Sequence, residues 1–195
     1  MDCKYIFLDI DGTLVDFQGK LADSALEALK TAKSNGHKLF VCTGRQRSQI
    51  YPWLLEKVDF DGAVCSSGAY VMANGECIAQ HCFSKEYITF LADYFTAART
   101  PYCVQTEHTL MLEKWCADAI VEHYLADGID RGKIDSLFGM TKIVESVPEL
   151  TVAEKLIYYG APKGLSDVAA DLGDRFSVVR YSFGSMGDRC GEVTD

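Results

Sequence analysis

Lys4-Tyr5-Ile6-Phe7-Leu8-Asp9-Ile10-Asp11-Gly12-Thr13-Leu14-Val15-Asp16 is the stretch whose reading decides the fold. Lys4 to Ile10 is a nearly continuous apolar run that ends in acids, the pattern of a buried parallel strand. Two carboxylates two residues apart, at the C-terminal end of such a strand, face the crevice where open α/β sheets bind ligands. In extended geometry Asp9 and Asp11 fall on one side, and carboxylates that close want a cation between them or one shared proton. Gly12 permits a sharp turn and can offer its N–H to an anion. The residues suit a site that holds Mg²⁺ and a phosphate oxygen together, one carboxylate acting as nucleophile and the other moving protons. A calcium loop counted from Asp9 would need Gly sixth and Glu twelfth, where the chain has Leu14 and Lys20. An ordinary solvated turn is the plain alternative, since turns also favour Asp and Gly.

Outward from this junction the chain alternates strand and helix. Ser24-Ala25-Leu26-Glu27 reads as a capping box opening a helix that stops at Asn35-Gly36. Lys38 to Cys42 reads as a second strand running into Thr43-Gly44-Arg45. A helix is expected over Gln46 to Lys57, its firm start near Tyr51 because of Pro52. Asp61 to Cys65 is a third strand, followed by the turn Ser66-Ser67-Gly68. Strands separated by helices with tight loops mean right-handed crossovers and a parallel sheet. Tyr70 to Met72 and Cys77 to Ala79 form a hairpin around Asn74-Gly75. Thr43 supplies a hydroxyl and Gly44 a close amide, one βα unit after the paired acids, so both are candidate phosphate ligands. Taken alone, Thr-Gly-Arg also suits a plain strand-to-helix turn.

Beyond about residue 82 the order becomes mixed. Ser84 caps a helix through about Ala98. Tyr102 to Gln105 and Thr109 to Leu112 read as strands, Trp115 to Leu125 as a helix, and Leu156 to Tyr159 and Phe176 to Ser182 as strands around a helix over Leu165 to Leu172. This is the grammar of a separate α+β unit.

Composition bounds the function. The 195 residues carry 19 Lys plus Arg and 28 acids, a formal charge of −9, which argues against nucleic-acid or anionic-membrane partners. No apolar run reaches the roughly 18–20 residues of a membrane span, and Met1 to Tyr5 does not open a signal peptide. Eight cysteines without a C-x-x-C pair, and four histidines without ligand spacing, point to reduced thiols in a cytoplasm rather than to disulfides or zinc.

The motifs together resemble the haloacid dehalogenase-like (HAD) superfamily, specifically its Cof-like phosphatases with a large α+β cap. The first family motif matches Asp9 to Leu14 and the second matches Leu39 to Thr43, continuing Gly44-Arg45 as Cof-like members do. Ala63 to Ala69 is similar to the third strand and its loop, with Ser67 where Asn is usual. The resemblance implies an α/β fold, a Rossmann-like parallel-sheet core with an inserted α+β cap, divided here as 1–81 and 82–195. It also implies a Mg²⁺-dependent phosphatase of small phosphorylated metabolites. Asp9 would form an aspartyl-phosphate, Asp11 would act as acid–base, Gly12, Thr43, Gly44 and Arg45 would surround the phosphoryl group, and Asp9 with Asp11 would hold the metal. A phosphomutase, or a non-catalytic phospholigand-binding fragment, would use the same residues.

The family's third motif is a Lys on a helix, and its fourth is Gly-Asp after a core strand. Lys155 and Lys163 sit in cap-like surroundings. Gly187-Asp188 has the string, but it follows Ser182 to Met186 rather than an apolar strand. The expectation is that the C-terminal core part is absent, leaving Tyr5 to Asp9 as a sheet edge open to self-association.

Overall fold

The structure is a computed structural model describing residues 2–16, 18–139, 141–149, 152–181 and 187–195. The chain divides into two compact units, Met1–Gln80 and His81–Asp195, and each has its own sheet.

The first unit begins with β1 (Tyr5–Leu8), α1 (Asp23–Ser34), β2 (Lys38–Cys42), α2 (Pro52–Lys57) and β3 (Gly62–Cys65), then closes with the hairpin β4 (Tyr70–Ala73) and β5 (Glu76–Gln80). The sheet order is β1-β2-β3-β4-β5, parallel across the first three strands and antiparallel thereafter. Asn74 and Gly75 both take positive φ (51° and 83°), the left-handed pair a two-residue hairpin requires. Leu29 of α1 and Leu54 of α2 share one core with Leu39, Val41 and Ala63, against which Ile6 and Leu8 pack. Alternation sends Tyr5, Phe7 and Phe40 to the other face. There the Phe7 and Phe40 rings stack at 5.2 Å, while Tyr5 and Phe7 are 66% and 56% exposed.

Among the described residues β1 pairs only with β2, so it is a sheet edge. Two local expectations are corrected. α1 begins one residue before Ser24, with Ala22 in the cap position and no side-chain cap bond. Glu27 accepts from Lys30 instead of reaching back, and the capping box does not form. The helix expected over Gln46 to Lys57 is broken: Arg47–Gln49 is a 3₁₀ turn and Tyr51 is extended (φ −57°, ψ 120°), because the residue before a proline is driven out of the helical region.

Asp61 fastens the first unit. Its carboxylate accepts from Lys33 Nζ (2.8 Å), Lys38 Nζ (2.9 Å) and the Leu39 N–H (2.9 Å), tying α1 to β2 and β3.

The second unit contains α3 (Lys85–Ala97), β6 (Tyr102–Gln105), β7 (Leu110–Glu113), α4 (Lys114–Ala126), α5 (Arg131–Phe138), β8 (Thr141–Val144), β9 (Lys155–Tyr158), α6 (Leu165–Leu172), β10 (Ser177–Arg180) and β11 (Gly191–Thr194). Ser84 caps α3, its hydroxyl accepting from the Tyr87 N–H at 3.2 Å. The sheet order is β10-β11-β9-β6-β7-β8, antiparallel except for β7 with β8. Ile88, Leu91 and Phe95 of α3, Cys116 and Ile120 of α4, and Val168 and Leu172 of α6 bury against Tyr102, Val104, Leu156, Tyr158 and Val193. The strand end at Ser182 lies outside the described residues.

Two stability measurements test these assignments. Burial alone would raise the Asp61 carboxyl, but the bonds from Lys33, Lys38 and Leu39 outweigh it and hold the group well below the usual carboxylate range. A carboxyl held low in the folded state adds stability that is fully present above its unfolded pKa and lost as pH falls. Melting of the first unit should therefore drop below about pH 4, and Asp61→Asn should cost about 2 kcal/mol at neutral pH and flatten that drop. An unchanged melting profile would refute the role.

Tyr158 offers the opposite case. Its ring stacks on Phe95 at 4.9 Å, and its buried hydroxyl has no hydrogen-bond partner among the described residues, lying where a side chain at Gly191 would have to sit. Tyr158→Phe should leave stability unchanged within about 0.5 kcal/mol or raise it, since an unpaired buried hydroxyl contributes nothing favourable. A loss above about 1 kcal/mol would reveal a partner.

Candidate active site

The site grows from the C-terminal ends of two adjacent parallel strands. After β1 the chain turns on itself: Gly12 takes φ +81°, its N–H donates to the Val15 carbonyl at 2.8 Å, and the Val15 N–H returns to Ile10 at 2.8 Å. Ile10 and Val15 are buried beneath this turn, which leaves Asp9 and Asp11 on the exposed side. Gly12 thus supplies the bend rather than an available amide, because the turn closes on its own N–H.

The turn after β2 comes to meet it. Arg45 sends Nε to Asp11 Oδ2 (2.7 Å) and Nη2 to Asp11 Oδ1 (2.9 Å), a two-pronged pair joining the loops. Nη1 donates to the Gln49 carbonyl at 3.1 Å, Nη2 also reaches the Tyr51 hydroxyl at 2.8 Å, and the guanidinium lies 4.5 Å from the centre of the Tyr51 ring. The hydrogen bond to Asp11 pushes the Arg45 pKa further above its ordinary value, against the cost of burial.

The backbone of the same residue is equally engaged. The Arg45 N–H donates to Thr43 Oγ1 at 3.2 Å and its carbonyl accepts from Ser66 at 2.8 Å. Ser67 donates from its own N–H to the Thr43 carbonyl at 3.3 Å. Ser66 and Ser67 both hold positive φ (52° and 57°), a conformation non-glycine residues rarely adopt, so the loop after β3 is bent onto this site. Thr43 is buried, and because its oxygen accepts from Arg45 its O–H proton remains to be donated.

The Asp9 carboxylate, by contrast, makes no hydrogen bond or ion pair with any described residue, and it is exposed; only the Asp9 carbonyl is engaged, accepting from the Leu14 N–H at 3.2 Å. Its neighbour Asp11 is half-exposed and pinned. The structure therefore brings Asp11, Thr43 and Arg45 into one bonded group, with Asp9 and Gly12 on the same turn as Asp11 and Gly44 between Thr43 and Arg45. Gln49, Tyr51 and Ser66 belong to this group and are absent from the sequence-based candidates. Pro52 was their one legible trace, since it forces Tyr51 out of a helix.

The oxygen donors of this turn, the Asp9 carboxylate and the carbonyl of residue 11, are the hard ligands that Mg²⁺ accepts. Among the described residues no third acid, histidine or cysteine gathers with them. The Asp11 carboxylate oxygens are both taken by Arg45. Of the other candidates, Lys155 is buried in an ion pair with Glu192 (2.9 Å), Lys163 pairs with Asp171 (2.6 Å), and Gly187–Arg189 is a 3₁₀ turn leading into β11. All of these belong to the second unit.

Parts of several known proteins are similar to this chain. Pyridoxal phosphate phosphatase YbhA of Escherichia coli is 35% identical over 71 residues, covering 36% of this chain and 26% of that protein. Endoribonuclease YBEY, chloroplastic, of Arabidopsis thaliana is 26% identical over 194 residues, covering 91% of this chain and 32% of that protein. The chain thus spans about a third or less of the length of these curated relatives. The solved structure of the HAD subclass IIB sugar phosphatase BT4131 superposes with a TM-score of 0.70 at 20% identity, covering 99% of this chain and 70% of that one. That likeness is one of fold. The sequence pattern of the haloacid dehalogenase-like hydrolases runs through residues 6–192, from the middle of β1 to Glu192 in β11. With the acid pair, the Thr43 turn and both units inside that span, the chain belongs to the haloacid dehalogenase-like hydrolase family.

Proposed function

We propose that the protein acts as a Mg²⁺-dependent phosphatase of small phosphorylated metabolites, such as sugar phosphates. One observation carries this reading. The Asp9 carboxylate stands exposed at the end of β1 with no partner among the described residues, while Asp11, two residues on, is fixed beside Thr43 by Arg45. A nucleophile must be accessible, and a proton carrier must be positioned.

In the proposed reaction an Asp9 oxygen attacks phosphorus, and an O–P bond forms as the ester P–O bond breaks. Asp11, whose two oxygens accept from Arg45 in this structure, takes up a proton from water as the ester binds and gives it to the departing alkoxide. Asp11 then takes a proton from water as that water attacks the aspartyl-phosphate, releasing inorganic phosphate and restoring Asp9. The Thr43 hydroxyl and Gly44 amide donate to the phosphoryl oxygens, Gly12 shapes the turn that holds both acids, and Arg45 adds positive charge beside them. The Asp9 carboxylate and the residue 11 carbonyl would hold Mg²⁺, which supplies charge to balance a phosphate dianion. Small esters are favoured because the names of two similar proteins specify pyridoxal phosphate and sugar substrates. The acidic charge of −9 disfavours RNA as the substrate.

Inorganic phosphate released from a panel of sugar phosphates, pyridoxal phosphate and phosphoproteins tests this directly. The wild type should turn over small esters, Asp9→Asn should abolish release, and Asp11→Asn should cost roughly 10²–10⁴-fold. Chelation should stop the reaction and Mg²⁺ restore it. Full activity of Asp9→Asn, rates untouched by excess chelator, or a preference for folded phosphoproteins would each overturn the reading.

A further inference from the structure

The pair between Arg45 and Asp11 poses an energetic problem. Asp11 is half-exposed, and ion pairs at such positions contribute too little to keep a long arginine side chain in one geometry. The guanidinium is nevertheless anchored on three further sides. Gln49 accepts from Nη1, the Tyr51 hydroxyl takes an N–H of Nη2, and the Tyr51 ring lies beneath the planar cation at 4.5 Å. Tyr51 is itself braced: its ring stacks on Trp53 at 5.6 Å with the planes 24° apart, and Pro52 fixes the backbone that follows it. A cation over an aromatic face is attracted to the ring, and the hydroxyl adds a charge-assisted bond.

We propose that Tyr51 is a positioning residue that acts through Arg45 to hold the Asp11 carboxylate in one orientation. It rests on the reading of Asp11 as the proton carrier, and assigns Tyr51 no contact with substrate. A side chain that merely packed at the start of α2 would affect stability without affecting Arg45. Tyr51 instead sets the angle of the fork, and through the fork the direction in which Asp11 presents its oxygens.

The test uses the 195-residue chain with ¹⁵N-labelled arginine and follows the Nε–H signal of Arg45, identified by its loss in Arg45→Lys. In the wild type this proton is held on Asp11 and should exchange slowly with water. Tyr51→Leu should accelerate its exchange tenfold or more, and should lower kcat for a small phosphate ester at least tenfold with KM changed less than threefold. Tyr51→Phe keeps the ring and drops the hydroxyl, so it should give a several-fold change in both readouts while preserving packing, which covers the case of a Leu variant that does not fold. Exchange within twofold of wild type in both variants would overturn the proposal, as would accelerated exchange with unchanged kcat. If exchange accelerates as expected but the wild type releases no phosphate from any ester, the positioning of Asp11 stands and the phosphatase reading falls.

Discussion

The two-pronged bond from Arg45 to Asp11 is the constraint on which the site depends, because it ties the turn that follows β1 directly to the turn that follows β2. Parallel pairing alone brings the strand ends side by side, with Leu8 opposite Val41 in the register. It does not decide how each loop leaves its strand. That is set by Gly12, whose positive φ folds the first turn back over Ile10 and Val15, and by Thr43, whose oxygen receives the Arg45 N–H. The side chain of Arg45 then crosses to the first turn while its carbonyl receives Ser66 from the third. One residue joins three loops.

Much of this was legible in the amino-acid sequence, for identifiable reasons. The apolar run into Asp9 marks a strand end, Asn74-Gly75 marks a two-residue turn, and Ser84 marks a cap, because each depends on chemistry within a few residues. The capping box at Ser24 was misread for the same reason. The local pattern was present, but the helix starts one residue earlier and Glu27 prefers Lys30. Of the site, the acids and the Thr43 turn could be read from their place after apolar strands. The partnership of Arg45 with Tyr51 could not, since it depends on Pro52 interrupting a segment that otherwise reads as helix.

The second unit was less legible because its later elements are short and weakly patterned. α5 opens Arg131-Gly132-Lys133, a poor helix start by composition, and β8 is a four-residue edge strand with little burial. β11 was missed for a more instructive reason. Its sequence is Gly191-Glu192-Val193-Thr194, and a strand carrying a glycine and an acid gives no apolar alternation. Glu192 is tolerated there because Lys155 neutralises it at 2.9 Å, a pairing visible only once β9 and β11 are neighbours. Removing either partner alone would take this ion pair from a buried charge, the costly way to break such a pair.

The charge inventory of the site bears on its chemistry. Asp9 and Asp11 contribute −2 and Arg45 +1, so the turn carries a net −1 before any ligand arrives. A phosphate dianion would bring this to −3. At separations of about 5 Å, each unit of like charge costs about 1–3 kcal/mol between the dielectric limits of water and a protein surface. Arg45 can offset only part of this, because its fork is already spent on Asp11. Lys33 and Lys38 of the same unit are held by Asp61, so they are not available to compensate. In the proposed reaction a divalent cation on the Asp9 carboxylate would offset this charge with a single added group. The proposed reaction also needs an Asp9 carboxylate that no protein cation occupies. A lysine or arginine paired with it would stabilise the turn, but would also occupy the oxygen that attacks phosphorus in the proposed reaction.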